Sequence, residues 1–381
     1  MTDMLHHIGR SAKQYTIMHA DRCVASIRAD GTCSIYDPSF MPFHLYLEKA
    51  DAGEPETRAN NLANFSAWCA SRILHPGRQY ADVLFASIGA PRAPTERERA
   101  GIALACHCAA MTDVYWVKSR EEKTTYDDIC LFDKPLSGAF VDVSLRGKSL
   151  TAESAALINP GSVAADVSTQ GMAPKAWVQQ DGVFYLLKGS GDNEVNTELL
   201  ASRIARCFRV DQVLYDPFLY GGQLVSSCRL ITSRDYSIVP MEHVEIYAAN
   251  HDTDIHSLVR RYDLYGYHMM NLIDYLVGNT DRHWGNWGFL VDNRTNTPLR
   301  LFPLMDFNRA FQAYDTLEGG RCLTTPRPMS QMDAALEAVR NVGLHPQEEV
   351  RQDWFHDPAH WDMFRKRWDV LEAAVPTCTE G

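Results

Sequence analysis

The feature that most constrains this chain is a polar segment at residues 279–286, which reads Asn-Thr-Asp-Arg-His-Trp-Gly-Asn. Asp281 stands five positions before Asn286, and Asp306 follows twenty residues after that amide. Phosphoryl transfer needs one carboxylate to accept the proton of an attacking hydroxyl, and an amide and a second carboxylate to hold Mg²⁺. Both of these metal ligands are hard oxygen donors, as Mg²⁺ requires. The spacing therefore predicts a phosphoryl-transfer site in which Asn286 and Asp306 bind the metal.

The sequence on either side of this segment predicts regular structure. Residues 267–277 form an apolar run typical of a buried helix, and a glycine ends it. Residues 287–291 and 299–304 predict two strands joined by a polar turn. The segment thus has a helix, a loop, a strand hairpin and then an acidic residue, Asp306. A kinase catalytic loop and its metal-binding segment follow each other in this order. Taken singly, the aspartate and the asparagine of the loop would be ordinary turn residues, which both types favour.

An upstream lysine and a glutamate favour the same chemistry. Lys188 ends an apolar strand, and the helix that follows contains Glu194 and Glu198 on one face. A lysine on a strand that faces a glutamate on the next helix is the pair that places ATP phosphates in kinases. Glu198 is the predicted partner because it lies beside the apolar run, and Glu194 is the alternative. An ordinary surface ion pair would leave both residues without a function.

A glycine-containing loop precedes this strand. Residues 168–175 read Ser-Thr-Gln-Gly-Met-Ala-Pro-Lys and lead into two strands joined by an Asp-Gly turn. Gly171 permits close approach of the backbone to a phosphate group. The segment matches neither a Walker A sequence nor the triple-glycine loop of protein kinases. Taken alone, the segment therefore favours a plain surface loop over a phosphate-binding loop.

Composition limits the remaining classes. A broad nucleic-acid footprint would need a basic face, and with a net charge of −11 direct nucleic-acid binding is not expected. No apolar run approaches the length of a membrane span, and residues 1–7 lack the apolar core of a signal peptide. The ten cysteines follow no regular spacing, which favours reduced thiols in a cytosol. We expect a cytoplasmic protein without a membrane partner.

The rest of the chain divides into three predicted parts. Residues 1–160 are an N-terminal accessory region, residues 161–234 a small β-rich lobe, and residues 235–381 a mostly helical lobe, with the first boundary near residues 159–162. In the first part we find no chemistry, only a hairpin at 23–36 around Asp-Gly and helices near 58–75 and 95–110. From Tyr236 onward the chain is predicted to be mostly helical, apart from the catalytic hairpin.

Taken together, these motifs resemble the HipA-like bacterial serine/threonine kinases. The resemblance covers residues 165–310 and is most specific in the catalytic loop, whose Asp-Arg-His-x-x-Asn form is also similar to the phosphoinositide 3/4-kinase branch. It implies an α+β, two-lobed protein-kinase-like fold with ATP and Mg²⁺ in the cleft. By position, Asp281 resembles the catalytic base, Asn286 and Asp306 the magnesium ligands, and Lys188 the phosphate-contacting lysine. The nucleotide-binding residues implied by the resemblance are Ser168, Thr169, Gln170, Gly171, Lys175, Lys188 and Glu198.

The sequence also departs from the kinase pattern. Residues 279–280 are Asn-Thr where eukaryotic protein kinases carry His-Arg, so the arginine that reads an activation-loop phosphate is missing unless Arg282 substitutes for it. Asn308 stands where such kinases have glycine, and no Ala-Pro-Glu follows. The first hypothesis is an ATP-dependent kinase whose acceptor is a serine or threonine of a protein. The alternatives are a kinase of a lipid headgroup or small metabolite, and a non-catalytic nucleotide-binding pseudokinase.

Overall fold

A computed structural model describes residues 14–158 and 160–375. The segment 1–7 and residue 159, at the predicted first boundary, lie outside the described residues. Contacts divide the chain into two compact units. The first takes the residues up to Gly189 together with Arg229–Ser237 and Asp292–Thr297, and the second takes Ser190–Cys228, Ile238–Val291 and the chain from Pro298 onward.

The first unit joins two sets of strands to a series of short helices. Its elements in chain order are β1 (Gln14–His19), β2 (Arg22–Arg28), β3 (Cys33–Ile35), α1 (Pro55–Ser71), α2 (Ala81–Ser87), α3 (Glu96–Ala105), β4 (Tyr115–Ser119), α4 (Tyr126–Ile129), α5 (Val141–Arg146), α6 (Ala152–Ala156), α7 (Pro160–Val167), β5 (Lys175–Gln180) and β6 (Val183–Lys188). The first four strands form one antiparallel sheet in the order β3-β2-β1-β4. The hairpin predicted around Asp30 and Gly31 is confirmed as β2 and β3.

The strands β5 and β6 share a hydrophobic core with the N-terminal region. Trp177 of β5 and Phe184 of β6 belong to the same buried cluster as Trp68, Phe85 and Phe140. The N-terminal region and this strand pair therefore bury their apolar side chains together. This shared core does not test the predicted domain boundaries at residues 160 and 234, which stay a prediction.

The second unit is mostly helical. Its elements are α8 (Asp192–Ala205), β7 (Tyr215–Tyr220), β8 (Gln223–Arg229), β9 (Tyr236–Pro240), α9 (Met241–Ala249), α10 (Ile255–Tyr262), α11 (Leu264–Val277), β10 (Gly288–Asp292), β11 (Thr297–Leu301), α12 (Gln331–Val342) and α13 (Pro358–Ala373); a few strand ends fall in the first unit. The helices predicted on either side of the hairpin β10–β11 are confirmed. One prediction was wrong, because residues 236–240 form the strand β9 in the order β11-β10-β9. Helix starts only after Pro240, which precedes the first turn of α9 as its N-cap.

Helix α11 is the centre of the second unit. Every residue from Tyr267 to Val277 is buried, so this helix is enclosed around its whole circumference and its polar side chains, Asp274 among them, need partners inside the protein. Helix α12 packs along it, and α13 contributes Phe364 and Leu371 to the buried residues of the unit. Because α11 is held on all sides, the loop that leaves its C-terminus begins from a fixed point.

The described chain combines β-sheets with helices, which confirms the mixed class predicted from the sequence. The arrangement as two kinase-like lobes stays a prediction. None of the helices in the described ranges has both the length and the apolar character that crossing a bilayer requires.

Candidate active site

The predicted catalytic loop, residues 279–286, begins where α11 ends. Gly278 adopts a left-handed backbone, with φ of +60°, and its N–H bonds back to Tyr275 at 3.1 Å. The N–H of Asn279 returns to the carbonyl of Asp274 at 2.9 Å. These two bonds close the helix end in the manner of a glycine C-cap. Gly278, which the sequence already indicated as the end of the helix, therefore sets the direction of the chain that follows.

A buried ion pair anchors the loop. Arg282 donates to both carboxylate oxygens of Asp274, at 2.8 Å from Nε and 3.0 Å from Nη2. Asn279 Nδ2 donates to the same carboxylate at 2.9 Å. Burial acts to lower the pKa of Arg282, but the charge and hydrogen bonds of Asp274 outweigh it and raise that pKa above its ordinary value. Arg282 therefore stays charged, and its position is fixed by a planar two-point contact.

The remaining nitrogen of Arg282 joins the two predicted metal-binding segments. Nη1 donates to the carbonyl of Asn286 at 2.8 Å and to the carbonyl of Met305 at 2.5 Å. Met305 directly precedes Asp306, so a single nitrogen holds the backbone of Asn286 and the backbone next to Asp306. Two residues that lie twenty positions apart in the sequence are brought into one cluster by this contact. Arg282 consequently has a structural role, whereas the sequence suggested it only as a possible reader of a phosphate.

Asp281 lies inside this cluster. Its carbonyl accepts a hydrogen bond from Nδ2 of Asn286 at 2.9 Å, and its N–H donates to Oδ1 of Asn279 at 3.2 Å. The backbone on both sides of the carboxylate is therefore fixed. No group in the described part of the chain bonds the Asp281 carboxylate itself. A carboxylate held at its backbone and open at its oxygens can accept a proton from a bound hydroxyl.

Asp306 adopts a conformation that is rare for an L-residue. Its φ is +62°, in the left-handed region, and its N–H donates to the hydroxyl of Tyr215 at 3.1 Å. Strained backbone of this kind persists where the surrounding contacts impose it, and it clusters at functional sites. Tyr215 at the start of β7 and the Arg282 contact to Met305 supply such contacts on both sides.

The oxygen donors of the cluster fit Mg²⁺. Nδ2 of Asn286 is used by the Asp281 carbonyl, which leaves Oδ1 of that amide without a partner in the described chain. Asp306 adds a carboxylate, and Oδ1 of Asn308 is a buried oxygen that finds no partner among the described residues. Within those residues no group of three or more His, Cys, Asp or Glu side chains is placed to hold a metal. Mg²⁺ commonly takes one or two protein oxygens and completes its shell with water and phosphate, so the donor set present is of the right type.

The predicted phosphate loop belongs to the first unit. The hydroxyls of Ser168 and Thr169 donate to the carbonyl of Ala165, at 3.3 and 2.7 Å, and both side chains are buried against the end of α7. Gly171 has φ of +97°, and a Cβ placed there would lie 2.3 Å from Nζ of Lys175. The loop therefore folds back so that its own lysine lies against the backbone at residue 171, whose positive φ favours glycine.

Lys175 and Lys188 lie directly opposite each other on β5 and β6. Each is only 7% exposed. Opposite residues of an antiparallel pair place their Cβ atoms close together, and like charges at such positions repel. Two buried lysines therefore lie beside the glycine loop, and a lysine ammonium group is a common ligand of phosphate.

Glu198 is buried in α8, with 2% of its surface exposed, and accepts a hydrogen bond from Oγ of Ser226 at 2.5 Å. Glu194, the alternative, is only half-buried. Lys188 belongs to the first unit and Glu198 to the second. The structure thus brings together Asp281, Asn286 and Asp306, and separately the loop, Lys175 and Lys188. The Lys188–Glu198 pair and the convergence of the two groups stay predictions.

Sequence reasoning missed Asp274 as part of the site. A signal was available, because a carboxylate within the apolar run 267–277 must find a positive partner when the helix is buried. Arg282, eight residues later, is the nearest arginine after it in the sequence. The two carbonyls that Arg282 also bonds carry no sequence signal, since every residue has a carbonyl group.

Comparisons with known proteins add a distant similarity. No family model matches the chain, and no curated protein matches it either. Among solved structures, the chain is similar to the proinflammatory kinase CtkA of Helicobacter pylori, with 13% sequence identity and a TM-score of 0.42, over 53% of this chain and 90% of that one. A similarity of this size does not establish a common fold, so the resemblance to the HipA-like kinases stays a prediction.

Proposed function

We propose that the chain is an ATP-dependent kinase that transfers the γ-phosphoryl group to a serine or threonine hydroxyl of a protein. The observation that carries the proposal is the double contact of Arg282 Nη1 with the carbonyls of Asn286 and Met305. It assembles a carboxylate without a partner and two oxygen-bearing metal-ligand candidates from segments distant in the sequence. Phosphoryl transfer uses this combination of groups.

In the proposed reaction Asp281 accepts the proton of the acceptor hydroxyl while its oxygen attacks the γ-phosphorus. The bond from that phosphorus to the β,γ-bridging oxygen breaks, and ADP leaves with the electron pair. Bound Mg²⁺, held by Asn286 and Asp306, would neutralise the charge on the phosphate oxygens. Lys188 and Lys175 contact the phosphates, and Glu198 orients Lys188.

The test is transfer of labelled phosphate from ATP by the full chain. Asp281→Asn should lower the rate by roughly 10²- to 10⁴-fold, the usual contribution of a general base, without changing the fold. Asp306→Asn should lower it at least as far and weaken the dependence on Mg²⁺. Asp362→Asn, which changes an exposed carboxylate of α13, serves as the matched control and should leave the rate unchanged.

The acceptor class is decided in the same assay. Serine- and threonine-containing peptides, phosphoinositide vesicles and a mixture of small hydroxylated metabolites are offered in parallel. Labelled phosphate on the peptides or on the chain itself supports the proposal. Label on lipid or metabolite alone would show that the acceptor is that molecule and not a protein hydroxyl. Binding of ATP without any transfer would identify a pseudokinase, and full activity of Asp281→Asn would reject the assignment of the base.

A further inference from the structure

A segment of the N-terminal region, residues 71–79 from the last residue of α1 toward α2, lies along the predicted phosphate loop. The N–H of Leu74 donates to the carbonyl of Val167 at 2.7 Å, and the N–H of Gln79 donates to the carbonyl of Met172 at 3.1 Å. From the loop side, Nε2 of Gln170 donates to the carbonyl of Ser71 at 3.1 Å. One of these hydrogen bonds reaches Val167, just before the loop, and the other two reach Gln170 and Met172 within it. Sequence reasoning had assigned no chemistry to this part of the chain.

Arg78, from the same segment, holds both ends of the loop. Its Nη1 donates to the carbonyl of Thr169 at 3.2 Å, and its Nη2 donates to the carbonyl of Lys175. The side chain is 4% exposed. A guanidinium group presents its donors in a rigid planar fork, so one side chain fixes the separation of two backbone points that lie six residues apart. A lysine at this position could satisfy one carbonyl but has no such fork.

The charge of Arg78 also acts on the loop. Burial lowers the pKa of its guanidinium to about 10, and Asp166 acts in the opposite direction, so the group is charged at neutral pH. Asp166 is buried at the end of α7, and its Oδ1 has no partner in the described chain. Arg78 thus adds a third buried cation to the two lysines of β5 and β6. It contacts the loop through the carbonyls of Thr169 and Lys175 and not through a side chain of the loop.

We propose that Arg78 is a positioning residue for nucleotide binding, through which the N-terminal region holds the phosphate loop in shape. The inference rests on the proposed function, because it takes the loop to contact the phosphates of ATP. A loop that is already ordered loses less conformational entropy when a ligand binds. Loss of the fork should therefore weaken phosphate-dependent affinity and leave the adenosine contacts unaffected.

The experiment compares Arg78→Lys and Arg78→Gln with the full-length wild type, using Mg·ATP and adenosine as probes in titration calorimetry. We expect the Kd for ATP to rise at least tenfold in both variants, and the Kd for adenosine to change less than twofold. In transfer assays the KM for ATP should rise more than kcat falls. Arg92→Lys is the matched control, because Arg92 is an exposed arginine of the same region whose bond to Asp82 lies at the surface.

Two results would overturn the inference alone. One is wild-type ATP affinity in a folded Arg78→Lys variant, and the other is an equal loss of affinity for ATP and adenosine. Failure of the wild type to bind ATP would instead reject the proposed function, and the inference with it.

A measurement on the wild type covers the case in which the variants do not fold. Hydrogen exchange with and without ATP should show greater protection of the loop amides together with the amides of Leu74 and Gln79, whose acceptors lie in or next to the loop. Protection of the loop without these two amides would show that the loop orders independently of the N-terminal segment, which contradicts the inference.

Discussion

At the scale of single residues, the candidate site depends on the buried charge of Arg282. Arg282 and Asp274 are 3% and 4% exposed, so each would be costly to bury without the other. The arginine also carries the hydrogen bonds that position the segments of Asn286 and Asp306. Its charge state and its geometry are therefore both needed, and a substitution that preserves only the charge separates the two contributions.

Arg282→Lys should be poorly tolerated although it keeps the positive charge. An ammonium group cannot make the two-point contact with Asp274 and also reach the carbonyls of Asn286 and Met305. We expect a loss of about 1–3 kcal/mol in the free energy of unfolding, and Arg282→Ala should lose about 3–5 kcal/mol because it leaves a buried carboxylate unpaired. Urea denaturation measures both values, and the transfer rate of the lysine variant should fall at least tenfold.

The control for this prediction is Arg300→Lys, which alters an ion pair with Asp211 in which both side chains are about half exposed. Its cost should stay below about 1 kcal/mol, as for other surface pairs. Equal stability and activity of the Arg282→Lys variant and the wild type would show that the fork is dispensable.

At the scale of secondary-structure elements, the end of α11 sets the position of the predicted catalytic loop. Gly278 combines a left-handed backbone with a close neighbour, since a Cβ there would lie 2.5 Å from a ring carbon of Tyr314. Tyr314 in turn donates its hydroxyl to the carbonyl of Leu276. The segment after Asp306 is therefore packed against the last turn of the helix that precedes Asp281.

Gly278→Ala tests this element. The left-handed conformation alone costs about 1–2 kcal/mol for a residue with a Cβ, and displacement of the Tyr314 ring adds a cost comparable to overpacking, about 1–3 kcal/mol. Thermal and urea unfolding of the variant should show the sum. The activity should fall too, because the loop begins from a displaced helix end.

Gly182→Ala in the turn between β5 and β6 is the matched control. Gly182 also has positive φ, at +78°, but nothing lies within 4 Å of the Cβ position. The difference between the two variants therefore measures the contact with Tyr314. Equal destabilisation by Gly278→Ala and Gly182→Ala would mean that the Tyr314 ring moves away from the new methyl group without a measurable free-energy cost.

At the scale of the whole molecule, each unit has its own buried ionisable groups, and those of the first unit couple its stability to pH. Burial raises the pKa of Asp166 from 3.8 to about 7, with Arg78 acting in the opposite direction. Its folded-state pKa thus lies above its unfolded value. Between the two values the folded state binds a proton that the unfolded state does not, so the stabilisation is complete below about pH 4 and is lost as the pH rises through 7.

Asp166→Asn should remove this dependence. The wild type should lose unfolding free energy relative to the variant between pH 4 and 7, by an amount on the order of a few kcal/mol. Calorimetric unfolding of both proteins over pH 4–8 gives the comparison, with Asp142→Asn as a control at a surface position of the same unit. Curves that stay parallel over this range would show that the proton on Asp166 does not contribute.

The sequence by itself determined the local elements of this protein. The apolar run of α11 with its terminal glycine, the hairpin β2–β3 around Asp-Gly, and the hairpin β5–β6 were all predicted, because each depends on periodicity and on turn residues that are adjacent in the chain. The catalytic loop was predicted in the same way, from the spacing of Asp281 and Asn286, and its role stays a prediction. The strand β9 was missed because it is short and leads directly into a helix.

Only the tertiary structure decided how these elements are held together. The double contact of Arg282 with Asn286 and Met305 and the fork of Arg78 across the loop join backbone carbonyls to side chains far away in the chain. A sequence shows that a buried charge needs partners, but it does not show which carbonyls supply them, because carbonyl groups are the same at every position. That choice depends on packing, which places segments 71–79 and 167–175 side by side in one core.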